Sequence, residues 1–147
     1  MRPNSIKMGL WMLGTFIAFF LFVYAMGLIL STELRLFNVV IQLFFIYYVI
    51  KLHYKLYPTE VGNFIAGVAR GMETSAVGVG GFAVFTGLFL YANPALMDNL
   101  SQSSQMGAYL NPFTASLYIV AEGLMVSLIG SYVITRVLDI IITKQDV

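Results

Sequence analysis

Between Met8 and Leu30 the chain runs for 23 residues without a charged side chain. A helix of that length rises about 34 Å at ~1.5 Å per residue, enough to cross a hydrocarbon core of roughly 30 Å. Leu36–Ile50 and Thr74–Tyr91 are also uncharged, and Asn111–Thr135 carries one charge, Glu122. Only 10% of the 147 residues are charged and 59% are hydrophobic, where a soluble domain holds about 25% charged residues. The pattern predicts an all-α fold, a polytopic membrane protein of four transmembrane helices in a single domain.

The predicted spans are 8–30, 36–56, 73–91 and 112–135. A basic head, Arg2 and Lys7, precedes the first. A signal peptide is the competing reading, but the apolar run is too long and no clear small-x-small cleavage site follows before the next span; an uncleaved helix is expected. The second uncharged run is 15 residues, about 22 Å of helix. Lys51 and Lys55 can snorkel, and Tyr47, Tyr48, Tyr54 and Tyr57 suit the headgroup level, so the helix extends to about Leu56. Pro58 stops it.

In Val61–Met72 apolar residues fall at 61, 64, 65, 68 and 72, one face of a helix. Gly67, Arg70 and Gly71 interrupt the run. The expectation is an interfacial helix at about 61–72; the alternative is the first turns of a long third helix. Arg70 and Glu73 are placed to pair at its end. The turn Ser31–Arg35 is short, and the loop of about 92–111 is the longest. Asn93-Pro94 opens that loop, a short amphipathic helix is expected within 96–105, and Ser101–Gly107 reads as mobile. Pro112 suits the first turn of span four, and Leu138–Ile142 is expected to prolong it along the interface.

With four spans both termini share one side. That side carries Arg2, Lys7, Lys51, Lys55, Arg70, Arg136 and Lys144, and the other carries Arg35. The positive-inside rule places both termini in the cytoplasm.

Several functions lose their basis in composition. A net charge of +1 with no basic patch leaves nothing to neutralise phosphates, so no nucleic acid partner is expected. The chain has no cysteine, which excludes disulfides, thiolate metal sites, cysteine nucleophiles and a lipoprotein anchor. One histidine, His53, cannot make a His-rich metal site, and a headgroup contact is expected of it. The Gly78-x-Gly80-Gly81 cluster lacks the strand–loop–helix setting of a phosphate loop. No cofactor is expected.

Glu122 is the most informative residue. It lies ten residues into span four, about 15 Å deep. A carboxylate there costs on the order of 2.5–3.5 kcal/mol on insertion scales, so it should face the bundle interior and find a partner. Gln42 and Tyr24, at comparable depth, are the named partners. The functional reading is a proton- or ion-responsive site. The bland reading, a hydrogen-bonded clasp between helices, is favoured because no second acid or base lies deep inside a span. Ser116, Gly123, Ser127, Gly130 and Ser131 form a small-residue ridge about a quarter turn away. It permits close packing, either inside the monomer against span-three glycines such as Gly78 and Gly81, or with another copy or subunit.

The segment GNFIAGVARGMETSAVGVGGFAVFTGLFLYANPAL, the NPFTAS start of span four, and Glu122-Gly123 before its small-residue face together resemble an uncharacterised family of small four-helix membrane proteins of Bacteroidota, a domain of unknown function. The resemblance is strongest from Gly62 to Ser131. It implies a four-span fold in a bacterial inner membrane and supplies no activity. The function expected first is a non-enzymatic accessory or scaffold component, with the lipid bilayer, a second copy or a larger membrane complex as partner. A small transporter, channel or ion-responsive protein using Glu122 is the alternative. A nucleophile–base pair, which an intramembrane enzyme needs, is not offered by the spans.

Overall fold

A computed structural model of the chain describes residues 3–28, 35–103 and 109–145. Those residues form five α-helices and a 3₁₀ turn, with no strand among them: α1 Pro3–Ala25, α2 Arg35–Leu56, the turn Pro58–Glu60, α3 Phe64–Ala92, α4 Pro94–Ser103 and α5 Pro112–Gln145. α1, α2, α3 and α5 are each long and apolar enough to cross a membrane. The expected turn at 31–35 and the Ser101–Gly107 run fall mostly outside the described residues.

Local chemistry sets the helix ends. α1 stops at Ala25, five residues before its uncharged run does. Gly27 takes φ +69°; its N–H donates to the Tyr24 carbonyl at 3.0 Å, and the Leu28 N–H donates to Val23 at 3.1 Å. This is a Schellman cap, and glycine adopts its left-handed residue without a Cβ penalty. α5 opens on a capping box: the Thr114 N–H donates to Asn111 Oδ1 at 2.9 Å, and the Asn111 N–H donates to Thr114 Oγ1 at 2.8 Å. Asn93 joins α3 to α4, since its amide donates to Phe89 O at 2.8 Å while its carbonyl accepts from Leu96 and Met97.

The segment expected as a separate interfacial helix is continuous with the third span. α3 starts at Phe64, capped by the Asn63 side chain accepting from the Ala66 N–H at 3.2 Å. It runs unbroken through Arg70 and Glu73, which pair with each other at 2.7 Å. Only the 3₁₀ turn and residues 61–63 precede it. The loop expected at 92–111 contains α4, whose Met97 is buried.

α3 is central. It runs antiparallel to α5, with Gly67 against Thr135, Gly71 against Ser131, Val79 against Gly123 and Gly87 against Ser116. It runs parallel to α1, with Gly9 against Val77, Gly78 against Met12 and Gly81 against Leu13. Nearer α4 that seam becomes aromatic: Phe16–Phe82 at 5.3 Å, Phe20–Phe89 at 5.2 Å and Tyr24–Phe89 at 5.2 Å between ring centroids. α2 lies against α5 and the first half of α3, around Ile46, Val49, Ile50, Tyr54 and Leu138. Lipid has no preference for leaving these helices apart or together on hydrophobic grounds, so close fit and polar links hold the bundle.

The two shorter spans are staggered. Ser5, near the start of α1, accepts from Thr74 Oγ1 at 3.4 Å, ten residues after α3 begins, or about 15 Å. Phe37, near the start of α2, lies 5.9 Å from Phe19, well before the end of α1. α1 is therefore displaced toward α4 and α2 toward the termini.

Candidate intramembrane site

The stagger leaves space. Because α2 begins short of the end of α1, beside its last third, the α4 end of the bundle has no fourth long helix between α1 and α5 among the described residues. A cavity of about 220 Å³ lies there. Phe16, Phe19, Phe20 and Val23 of α1 form one wall, Val79, Phe82 and Thr86 of α3 another, and Tyr118, Ile119 and Glu122 of α5 a third; Asn38 and Gln42 of α2 complete the lining. Leu100 of α4 and Leu110 lie against it at the loop end.

Gln42 is buried at 3% exposure. Its Nε2 donates to the Gly123 carbonyl at 2.8 Å and approaches Ser75 Oγ at 3.4 Å, so one side chain ties α2 to α5 and to α3. Gln42→Leu keeps the bulk and removes both links. Interhelical bonds in membranes are worth about 0.6–1.7 kcal/mol, and a loss of about 1 kcal/mol is expected in SDS-titrated unfolding followed by circular dichroism.

Glu122 does not occupy the place expected of it. It shares the cavity with Gln42, but the Gln42 amide is directed to the neighbouring backbone carbonyl. The residue turned into the bundle is Gly123, whose missing Cβ leaves the space that Val79 Cγ1 fills. One residue earlier on a helix is 100° around, which puts Glu122 at the exposed rim. Its carboxylate has no ion pair with a lysine, arginine or histidine among the described residues. Tyr24 is a further correction: its ring stands against Phe89, it is 41% exposed, and it does not line the cavity.

The small-residue ridge divides. Ser116, Gly123 and Ser131 lie against α3, and the Ser116 hydroxyl donates to Ala83 O at 3.0 Å. Ser127, one turn from both Gly123 and Ser131, is fully buried. Gly130 instead receives Leu43 of α2, and Gly78 and Gly81 receive α1 rather than α5. His53 is 4% exposed and bonded at 2.9 Å to the half-buried Glu60, where a headgroup contact was expected.

Two residues at the cavity escaped notice in the sequence. The Asn38 Oδ1 and Thr86 Oγ1 atoms are buried without a hydrogen-bond partner, and both residues line the cavity. A buried polar atom left unpaired costs about 1–3 kcal/mol. Their residue types give no sign of this, because satisfaction depends on neighbours from other helices.

Fold and site together define the class: a multi-pass helical membrane protein with a cavity inside its bundle and a carboxylate at the cavity rim. No family model, no curated protein and no solved structure matches the chain.

Proposed function

We propose that this is a non-enzymatic integral membrane protein of the transporter or ion-responsive class, which takes a small molecule into its intramembrane cavity at Glu122. The cavity carries this reading. At about 220 Å³ it exceeds the 150 Å³ or so that holds benzene, and its lining combines an aromatic wall with a few polar groups, the composition of a ligand site. The scaffold reading drew on the small-residue ridge. Ser116, Gly123 and Ser131 already lie against α3 and Gly130 against α2, so association with a second copy or a larger complex would need another face.

We place the protein in a bacterial inner membrane with both termini cytoplasmic. Lys7, Lys51, Lys55, Arg70 and Arg136 all belong to the helix ends gathered at the termini, which supports the positive-inside assignment. The bacterial setting is what the family resemblance implies.

The natural absence of cysteine makes the cavity testable. Ala115→Cys places a thiol in its lining, and Ser127→Cys places one at a fully buried position of the same helix. In reconstituted vesicles N-ethylmaleimide should label the first and spare the second, and propylbenzene should slow labelling of the first at least fivefold. Equal labelling of both, or no protection by the hydrocarbon, rejects the reading.

A further inference from the structure

We propose that the cavity selects a protonated amine with a compact apolar body, an aryl- or alkylammonium ion; this deepens the cavity reading and rests on it. The argument begins with what the lining leaves unmatched. Glu122 brings a carboxylate with no cationic side chain paired to it among the described residues. Asn38 Oδ1 and Thr86 Oγ1 bring two oxygens with no donor, and Thr86 is 5% exposed. Two of these groups, the Glu122 carboxylate and Asn38 Oδ1, only accept, and the Thr86 hydroxyl can accept as well as donate. Among the described residues no lysine, arginine or histidine lines the space. The Gln42 amide, which could have offered a donor, is held by Gly123 and Ser75.

Each class of occupant meets this inventory differently. An anion would face Glu122 with no counter-charge. A neutral hydrocarbon would fit the wall but leave all three acceptors as they are. A divalent metal ion asks for six or more oxygen ligands from several carboxylates and carbonyls. Here one carboxylate stands in an aromatic cavity, and among the described residues no three His, Cys, Asp or Glu side chains gather to hold a metal. A primary ammonium carries three N–H donors and one positive charge. It pairs with Glu122, can donate to the Asn38 and Thr86 oxygens, and is attracted by the faces of Phe16, Phe19, Phe20 and Phe82 through their quadrupoles. The cost of placing a carboxylate at this depth is then offset by the ligand, away from bulk water where such a pairing is strongest.

Size narrows the body. If about 150 Å³ accommodates a benzene ring, 220 Å³ accommodates a ring with a short chain. 2-Phenylethylamine, protonated at neutral pH, is a fitting probe, and propylbenzene is its uncharged counterpart of equal heavy-atom count. The readout is protection of Ala115→Cys from N-ethylmaleimide in nanodiscs of zwitterionic lipid, with each ligand expressed as its concentration in the lipid phase. The amine should reach half-protection at a concentration at least tenfold below that of propylbenzene. Adding Glu122→Gln should abolish that advantage and leave propylbenzene within twofold of its original value. Because Glu122 is exposed, this neutral swap of equal shape leaves the packing intact, and the unchanged propylbenzene value reports that directly. If the two ligands protect equally, or the amine is unaffected by Glu122→Gln, the amine assignment is overturned while the cavity stands. If neither protects, the cavity reading falls and this inference with it.

Discussion

Gly71→Ala will destabilise the folded bundle by about 1–3 kcal/mol, the cost of forcing an extra methyl into a packed interior. Gly71 faces α5 in the α3–α5 seam. A Cβ there would overlap Ser131 Oγ and come within 2.8 Å of Ser131 Cβ and 3.1 Å of Ile46 Cγ2. The hydroxyl could swing aside. The Ser131 Cβ cannot, because the α5 backbone holds it, so the helices must part. Two controls separate this from a general dislike of alanine. Gly80 lies on the same helix with nothing within 4 Å of its Cβ position; alanine there adds helix propensity, and Gly80→Ala should be no less stable than the parent. Ser131→Gly removes both offending atoms, so Gly71→Ala with Ser131→Gly should regain more than half of the loss. SDS-titrated unfolding measures all four proteins. A Gly71→Ala curve that overlays that of Gly80→Ala would show that the seam has slack.

Met12→Ala is expected to cost about 2 kcal/mol in the same assay, the low end of the range for large-to-small core changes. Met12 is fully buried, with its methyl against Gly78 and its side chain among Phe16, Val79 and Phe82. In a soluble protein two terms add, the lost transfer from water and the void left behind. Here lipid is as apolar as the core, so the transfer term is small. The void persists, because the α1–α3 seam is held by other close contacts at Gly9 and Gly81. Leu10 on the same helix is 56% exposed, and Leu10→Ala should cost almost nothing. If Leu10→Ala and Met12→Ala lose equal stability, Leu10 is packed as tightly as Met12 and the assignment of the inward face of α1 is wrong.

The four long helices were legible because charges are so expensive in lipid that their absence marks a span. Their ends were less so. α1 ends through the backbone of Gly27, inside an uncharged run, where hydropathy carries no signal. α3 begins ten residues before its uncharged run because Arg70 and Glu73 neutralise each other, and a charged pair one turn apart does not interrupt a helix. Gln42 and Glu122 stood out as polar groups at depth, and both line the cavity. Their relation was not legible: a difference of one residue, Glu122 or Gly123 turned inward, is decided by whether α3 needs room for Val79. The α3–α5 ladder did carry a signal. Gly67, Gly71 and Ser75 are spaced by four, as are Gly123, Ser127 and Ser131, and pairing two such series, run in opposite directions, points to an antiparallel seam.

The stagger of α1 and α2 also bears on how the molecule sits in its bilayer. Each is about 33–35 Å long at ~1.5 Å per residue, close to one hydrocarbon thickness, yet their centres stand at different heights along α3. Upright, the bundle could centre one of them on the midplane only by lifting the other out of register with the lipid. Rocking it in the plane that contains both raises one and lowers the other. The same rotation shortens the vertical reach of α3 and α5, which at 29 and 34 residues exceed a core of roughly 30 Å. Tilts of up to 40° occur among membrane helices. A leaning posture thus reconciles four unequal helices with one membrane, and lipids on opposite flanks of the protein meet apolar surface at different depths.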